Sequence, residues 1–276
     1  MRARVAVVGA LAALTAVSVA GCSSSSSPSS ATKSSGASKS PSAGASASKS
    51  AGVSGTVTVF AASSLEEAFG TIAKKFQAAN PGVTVKVNLG ASSSLAQQVN
   101  SGAPADVFAS ASPTNMKQVV SSGGASSSTN FVKNVMEVAV PPSNPGHITS
   151  VTDLAKSGVK VAVCQPQVPC GVVAATVFKN AKITVKPATL EQDVKSTLTK
   201  VELNEADAGM VYVTDVRAAG SKAKGVVIPA DINASTEYPI AALSKAPNSA
   251  GAKAFVAYVL SPAGQQVLSA DGFEKP

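Results

Sequence analysis

The 276-residue chain has no Trp, a single His, three Cys and only 8 Phe and 3 Tyr. With so few rings it has no stock of flat surfaces for stacking nucleobases or sugars. The one imidazole, His147, stands in Asn144-Pro145-Gly146-His147, a breaker-rich turn that reads as surface and not as the seat of a general base. No G-x-S-x-G elbow, P-loop or H-E-x-x-H occurs. The two Ser-x-x-Lys matches, Ser30–Lys33 and Ser46–Lys49, fall in a low-complexity stretch. Asp106, Asp193, Asp207 and Asp215 lack the spacing of a metal-binding loop. Nothing in this inventory argues for an enzyme.

Acid is missing from the first 55 residues, which hold Arg2, Arg4, Lys33, Lys39 and Lys49. These five account for most of the formal net charge of +8. Over 56–276, 18 basic residues face 15 acidic ones, a net +3 with no clustered Lys/Arg run. That balance does not call for a nucleic-acid partner. Arg217 is the only Arg beyond position 4.

What is present begins with an export signal. Arg2 and Arg4 form a basic start, and Val5 to Val19 is an apolar run too short for a comfortable membrane span. It ends in Val19-Ala20-Gly21-Cys22, which resembles the lipobox of bacterial lipoproteins. The expectation is a signal peptide over 1–22, lipidation at Cys22, and an anchor on the outer face of the cytoplasmic membrane. Residues 23–55 contain 16 Ser in 33 positions and little to bury, so a disordered tether is expected, reaching roughly 30 Å as a flexible coil. Folding is expected from about Thr56.

With Cys22 lipidated, Cys164 and Cys170 remain, six residues apart. In an exported chain a disulfide is the first expectation. A metal pair or a redox pair fits less well, given one His and C-x5-C spacing.

The rest alternates strands and helices. Val- and Phe-rich strands are expected over 56–60, 83–89, 105–108, 135–140, 159–163, 208–213, 226–228 and 238–243. Between them, Leu65, Phe69, Ile72 and Phe76 recur at helical spacing until Asn80-Pro81-Gly82. Ser63 with Glu66, or Ser64 with Glu67, fits a capping box for that helix. Further helices are expected after Ser92-Ser93-Ser94, Ser112-Pro113, Pro169-Cys170-Gly171 and Asp193, and over 252–260 and 264–268. The alternation argues for an α/β fold of open sheets. Four strand-to-helix corners offer only hydroxyls or backbone N–H groups: Ser63-Ser64, Ser92-Ser93, Cys170-Gly171 and Val194. Ligands of open α/β sheets bind beyond the carboxyl ends of the strands, where helix N-termini favour anions. Singly, each corner is an ordinary helix cap; together they would make a pocket of neutral donors.

The segments VFAASSLEEAF (59–69), GASSSLAQQVNSGAPADVFASAS (90–112), VPCG (168–171), EQDVKSTLTKVELNEADAGMVYVTD (191–215) and EYPIA (237–241) resemble the molybdate-binding component of bacterial molybdate ABC importers. They follow the family's order and span nearly all of 56–276. The resemblance implies a two-lobed periplasmic-binding-protein (type II) fold, each lobe a mixed sheet flanked by helices. Lobe 1 would comprise 56–134 plus 238–276, and lobe 2 would comprise 135–237. It also implies an oxyanion site: hydroxyls of Ser64 and Ser92, backbone N–H groups of Cys170 and Val194, and the phenol of Tyr212. Cys170 stands where the family commonly has Ala, which a backbone donor tolerates. Lys195 stands where Arg is common, of little consequence if it points to solvent. The implied ligand is molybdate or tungstate, held as an oxyanion with no cofactor and no cation-binding metal ligands. The implied partner is a membrane permease, served by a monomer. Another tetrahedral oxyanion, such as sulfate, is the alternative. Rival ligands of the same fold fit less well: Tyr212, Tyr238 and Tyr258 are isolated, unlike the adjacent tyrosines of ferric-iron binders. Arg217 is the only Arg left to clamp an amino-acid carboxylate. A structural or adhesive lipoprotein, the non-binding alternative, predicts no response to any ligand.

Overall fold

The computed structural model describes residues 53–276. The expected signal peptide, Cys22 and nearly all of the expected tether lie outside the described residues. The order opens with β1 (Gly55–Ala62), a single 3-10 turn (Ser63–Leu65), α1 (Glu66–Ala79) and β2 (Val83–Gly90). Next come α2 (Ser92–Asn100), β3 (Val107–Ala109), α3 (Pro113–Ser121) and the long β4 (Thr129–Val140). After a 3-10 segment (Val151–Ala155) follow β5 (Val161–Cys164), α4 (Pro169–Asn180), β6 (Thr189–Glu191), α5 (Val194–Glu202) and β7 (Ala208–Tyr212). The chain finishes with α6 (Val213–Ala219), β8 (Lys224–Val226), β9 (Ser235–Ala242), α7 (Ser249–Leu260) and α8 (Pro262–Ala270).

The strands run β2-β1-β3-β9-β4-β7-β5-β6, with β8 beside β4. Parallel pairs β1–β2, β1–β3, β5–β6 and β5–β7 are joined through antiparallel partners β9 and β4. Residues 129–135 of β4 pair with β9, whereas residues 136–140 pair with β7 and β8. One strand thus passes from one half to the other, and the chain returns between β8 and β9.

Side-chain alternation divides the first half into two packed faces. Val57, Val59 and Ala61 of β1 meet Phe69, Ile72 and Phe76 of α1 and Phe255 of α7. Phe60, on the other face, meets Leu95, Phe108, Met116 and Val119. The second half has its own core around Val138, Val161, Val163, Val177, Leu198, Val201 and Met210. Ala91, from the first half, packs into that second core.

Side-chain caps set some of the helix starts and not others. Ser112 and Asp193 cap α3 and α5, accepting from Asn115 N–H at 3.3 Å and Ser196 N–H at 2.8 Å. Neither capping box expected at Ser63 or Ser64 forms, because both serines lie inside the 3-10 turn and α1 starts only at Glu66, without a side-chain cap. β4 starts six residues before the expected 135, since its first half completes the other sheet. β8 lies two residues ahead of the expected 226–228, where it pairs with β4.

Candidate functional site

Five helix or turn starts meet where the two halves face each other. A small cavity of about 210 Å³ is lined there by Ser63, Ser64, Ala91, Ser92, Cys170, Val194 and Tyr212, among others. The space open to a water-sized particle within it is only about 10 Å³, so it suits a small ion and not a drug-sized molecule. All five residues implied as ligands line it, and they are buried: Ser64 4%, Ser92 1%, Cys170 3%, Val194 3% and Tyr212 1% exposed.

Each wall follows from local sequence. Ser92 is the first residue of α2, and its Oγ accepts the Ala111 N–H at 2.9 Å, leaving the hydroxyl proton to the cavity. Ser64 Oγ lies 2.8 Å from the Tyr238 hydroxyl. Cys170 and Val194 fall in the first turns of α4 and α5, where N–H groups have no carbonyl four residues back inside the helix. Pro169 opens α4, a position at which its missing N–H costs nothing. Gly171 is required there: a Cβ would lie 2.2 Å from Gln165 O and 2.7 Å from Cys164 O. A disulfide joins Cys164 to Cys170, tying the end of β5 to the start of α4.

Tyr212 closes β7, and its N–H donates to Asp215 Oδ2 at 3.0 Å. Its hydroxyl is buried and meets no partner in good hydrogen-bond geometry among the described residues, although the Tyr238 hydroxyl is near enough to influence its titration. Burial, then the nearby Tyr238 and Asp215, pushes its pKa well above the ordinary phenol value, so it is a permanent donor. An orphaned buried donor carries a desolvation cost of roughly 1–3 kcal/mol unless something fills the cavity.

No basic side chain lines the cavity, but one stands behind it. Lys195 Nζ lies 2.7 Å from Glu67 on α1 and 3.6 Å from the buried Asp215. Burial works against its charge, yet Asp215, Glu67 and Glu66 together hold its pKa above the usual value. Lys195 therefore does not point to solvent, as the sequence allowed; only 19% of its side chain is exposed, and it bridges the two halves. A second, larger cavity of about 470 Å³ lies beyond Ser64, lined by Glu67, Arg217 and Asp271 among others. Its carboxylates suit it poorly to a dianion.

Other residues resolve into structural roles. Asp106 accepts Thr58 N–H at 2.7 Å and Asn248 N–H at 2.6 Å, so it pins β1 to the loop before α7. His147 is exposed in its turn. Among the described residues no group of three potential metal ligands clusters, and no helix is long and apolar enough to cross a membrane. Sequence reasoning missed Tyr238 and Asn134, which bond behind Ser64 from positions 174 and 104 residues apart from their partners.

Two mixed half-sheets that share a crossing strand, with a donor-lined cavity between them, define a periplasmic-binding-protein fold. Residues 57–274 match the family model described as bacterial extracellular solute-binding protein. The molybdate-binding protein ModA of Mycobacterium tuberculosis (strain H37Rv) is 40% identical over 222 residues, covering 80% of this chain and 85% of that protein. The periplasmic molybdate-binding protein of Azotobacter vinelandii superimposes with a TM-score of 0.71 at 20% identity, covering 80% of this chain and 99% of that one. The sulfate-binding protein SubI from Mycobacterium tuberculosis H37Rv gives 0.71 at 19% identity, covering 80% and 86%. At such identities the two structures establish the fold alone. The chain belongs to the bacterial extracellular solute-binding protein family, alongside relatives named molybdate-binding protein ModA, and is a binding protein and not an enzyme.

Proposed function

We propose that this chain captures molybdate, and also tungstate, between its two lobes and delivers it to the permease of an ABC importer. The ligand shell is Ser64, Ser92, Cys170, Val194 and Tyr212. The observation that carries the reading is the Tyr212 hydroxyl, buried and unpartnered in the wall of a cavity that the Ser64 and Ser92 hydroxyls and the first turns of α4 and α5 also line; the one carboxylate in the lining, Asp193, is engaged in capping α5. Molybdate and tungstate are fully deprotonated dianions at neutral pH and only accept hydrogen bonds. Bonds to an ionised acceptor are roughly twice as strong as neutral ones, so several donors can hold a dianion without a counter-ion. The first turns of α2, α4 and α5 add their dipoles in the same sense.

An ion cannot reach groups this buried unless the lobes part, so capture is a closing motion about the strands that cross between them. The protein works as a monomer, held outside the cytoplasmic membrane by lipidated Cys22 and the Ser-rich tether. Calorimetric titration with molybdate, tungstate and sulfate in competition tests the assignment. Heat with the first two and little with the smaller sulfate is expected. Heat with sulfate alone would replace molybdate by the runner-up oxyanion.

A further inference from the structure

We propose that Tyr238 and Asn134 are positioning residues that make Ser64 present its proton, never its lone pair, to the bound anion. The site would thereby reject an anion that must itself donate a hydrogen bond. The inference rests on the oxyanion reading of the cavity. Neither residue lines that cavity, so both act through Ser64.

The chain of hydrogen bonds starts from one backbone group. Val135 N–H can only donate, and it donates to Asn134 Oδ1 at 3.0 Å. That fixes the amide, whose Nδ2 has two hydrogens to give. One goes to Thr214 Oγ1 at 2.8 Å; the other goes to the Tyr238 hydroxyl at 3.4 Å, long for such a bond. Tyr238 has no solvent exposure, so its own proton has no water to find. The contact with Ser64 Oγ, 2.8 Å away, could run in either direction by geometry alone; because Asn134 already gives to the phenol oxygen, the relay assigns Ser64 the acceptor role. Ser64 has a single proton, and with the Tyr238 side of its oxygen occupied that proton turns into the cavity. Across the cavity Ser92 is fixed in the same sense, because its Oγ already accepts the Ala111 N–H. Burial raises the Tyr238 pKa, which keeps this phenol a donor at any physiological pH. A free serine would rotate to accept from hydrogen phosphate as readily as it donates to molybdate. A serine locked at both positions cannot.

The test is calorimetric titration with sodium molybdate of the parent chain, S64A, Y238F and S64A/Y238F, with the unliganded Tm of each recorded. Y238F is expected to weaken binding roughly tenfold in the parent and less than twofold in the S64A background. A residue that only packs would give the same loss in both. Asn134→Asp, which turns the donor behind Tyr238 into an acceptor at neutral pH, should reproduce the loss and again add little to S64A. The preference for molybdate over hydrogen phosphate should narrow in Y238F. Parent-like affinity in Y238F and N134D, losses that multiply with S64A, or an unchanged preference would overturn the relay while leaving the oxyanion reading intact. A parent chain that binds no molybdate would bring down both.

Discussion

Behind Tyr212 lies Asp215, a carboxylate with no solvent exposure that accepts the Tyr212 N–H and faces Lys195 at 3.6 Å. Burial pushes its pKa up to about 6, against the pull of Lys195 and of that N–H. The unfolded value is about 3.9, so the folded chain holds this proton more tightly than the unfolded one. The stability tied to it is present below about pH 4 and is lost as pH rises through about 6. D215N removes the titration, so its Tm should gain on the parent as pH rises from about 4 to about 7. A difference that stays flat with pH would contradict the assignment. In the proposed site, Ser64 and Ser92 would each supply a hydroxyl proton to a charged acceptor. The S64A/S92A double variant should lose at least a hundredfold in molybdate affinity, at roughly 1.5–3 kcal/mol for each charge-assisted bond. Titration calorimetry checks this, and unchanged affinity would remove the two serines from the site. The sequence exposed these residues as types at strand-to-helix corners, and the resemblance supplied their roles. It could not expose Tyr238, an isolated Tyr whose value comes from a partner 174 positions away.

At the scale of elements, the disulfide and Gly171 hold the start of α4, and with it the Cys170 N–H, against the end of β5. Replacing Cys164 and Cys170 together by Ser should lower stability by about 2 kcal/mol through the freed short loop. It should also weaken molybdate binding severalfold, because the N–H donor loses its fixed place. Thermal melts and titration of the double variant measure both; a loss of stability with full affinity would make the bridge a staple only. Long elements with a strong period, such as α1, were legible before any coordinates. Some of the short ones were not. β6 spans three residues, too few to show alternation, and α6 follows β7 with no turn residue between Tyr212 and Val213. The early start of β4 was hidden for another reason: Thr129 and Asn130 owe their strand pairing to β9, more than 100 residues later.

At the scale of the molecule, a few contacts cross between the two halves. Lys195 reaches from α5 to Glu67 on α1, and Ala91 enters the second core. Glu67 is 45% exposed, so this ion pair is screened and worth at most about 1 kcal/mol. Lys195→Gln should therefore weaken molybdate binding only about two- to fivefold, and more at low salt than at high salt. If capture is the proposed closing motion, the free chain should scatter X-rays with a larger radius of gyration than the molybdate-bound chain. Equal radii would argue against a closing motion. The central claim is where the ion sits, and molybdenum is an anomalous scatterer whose position can be read directly in a crystal of the molybdate complex. The account predicts one strong peak inside the cavity, with its oxygens about 2.7–3.1 Å from the Ser64, Ser92 and Tyr212 hydroxyls and the Cys170 and Val194 nitrogens. A peak in the Arg217–Asp271 cavity or on the lysine-bearing surface, with this cavity empty, would contradict it.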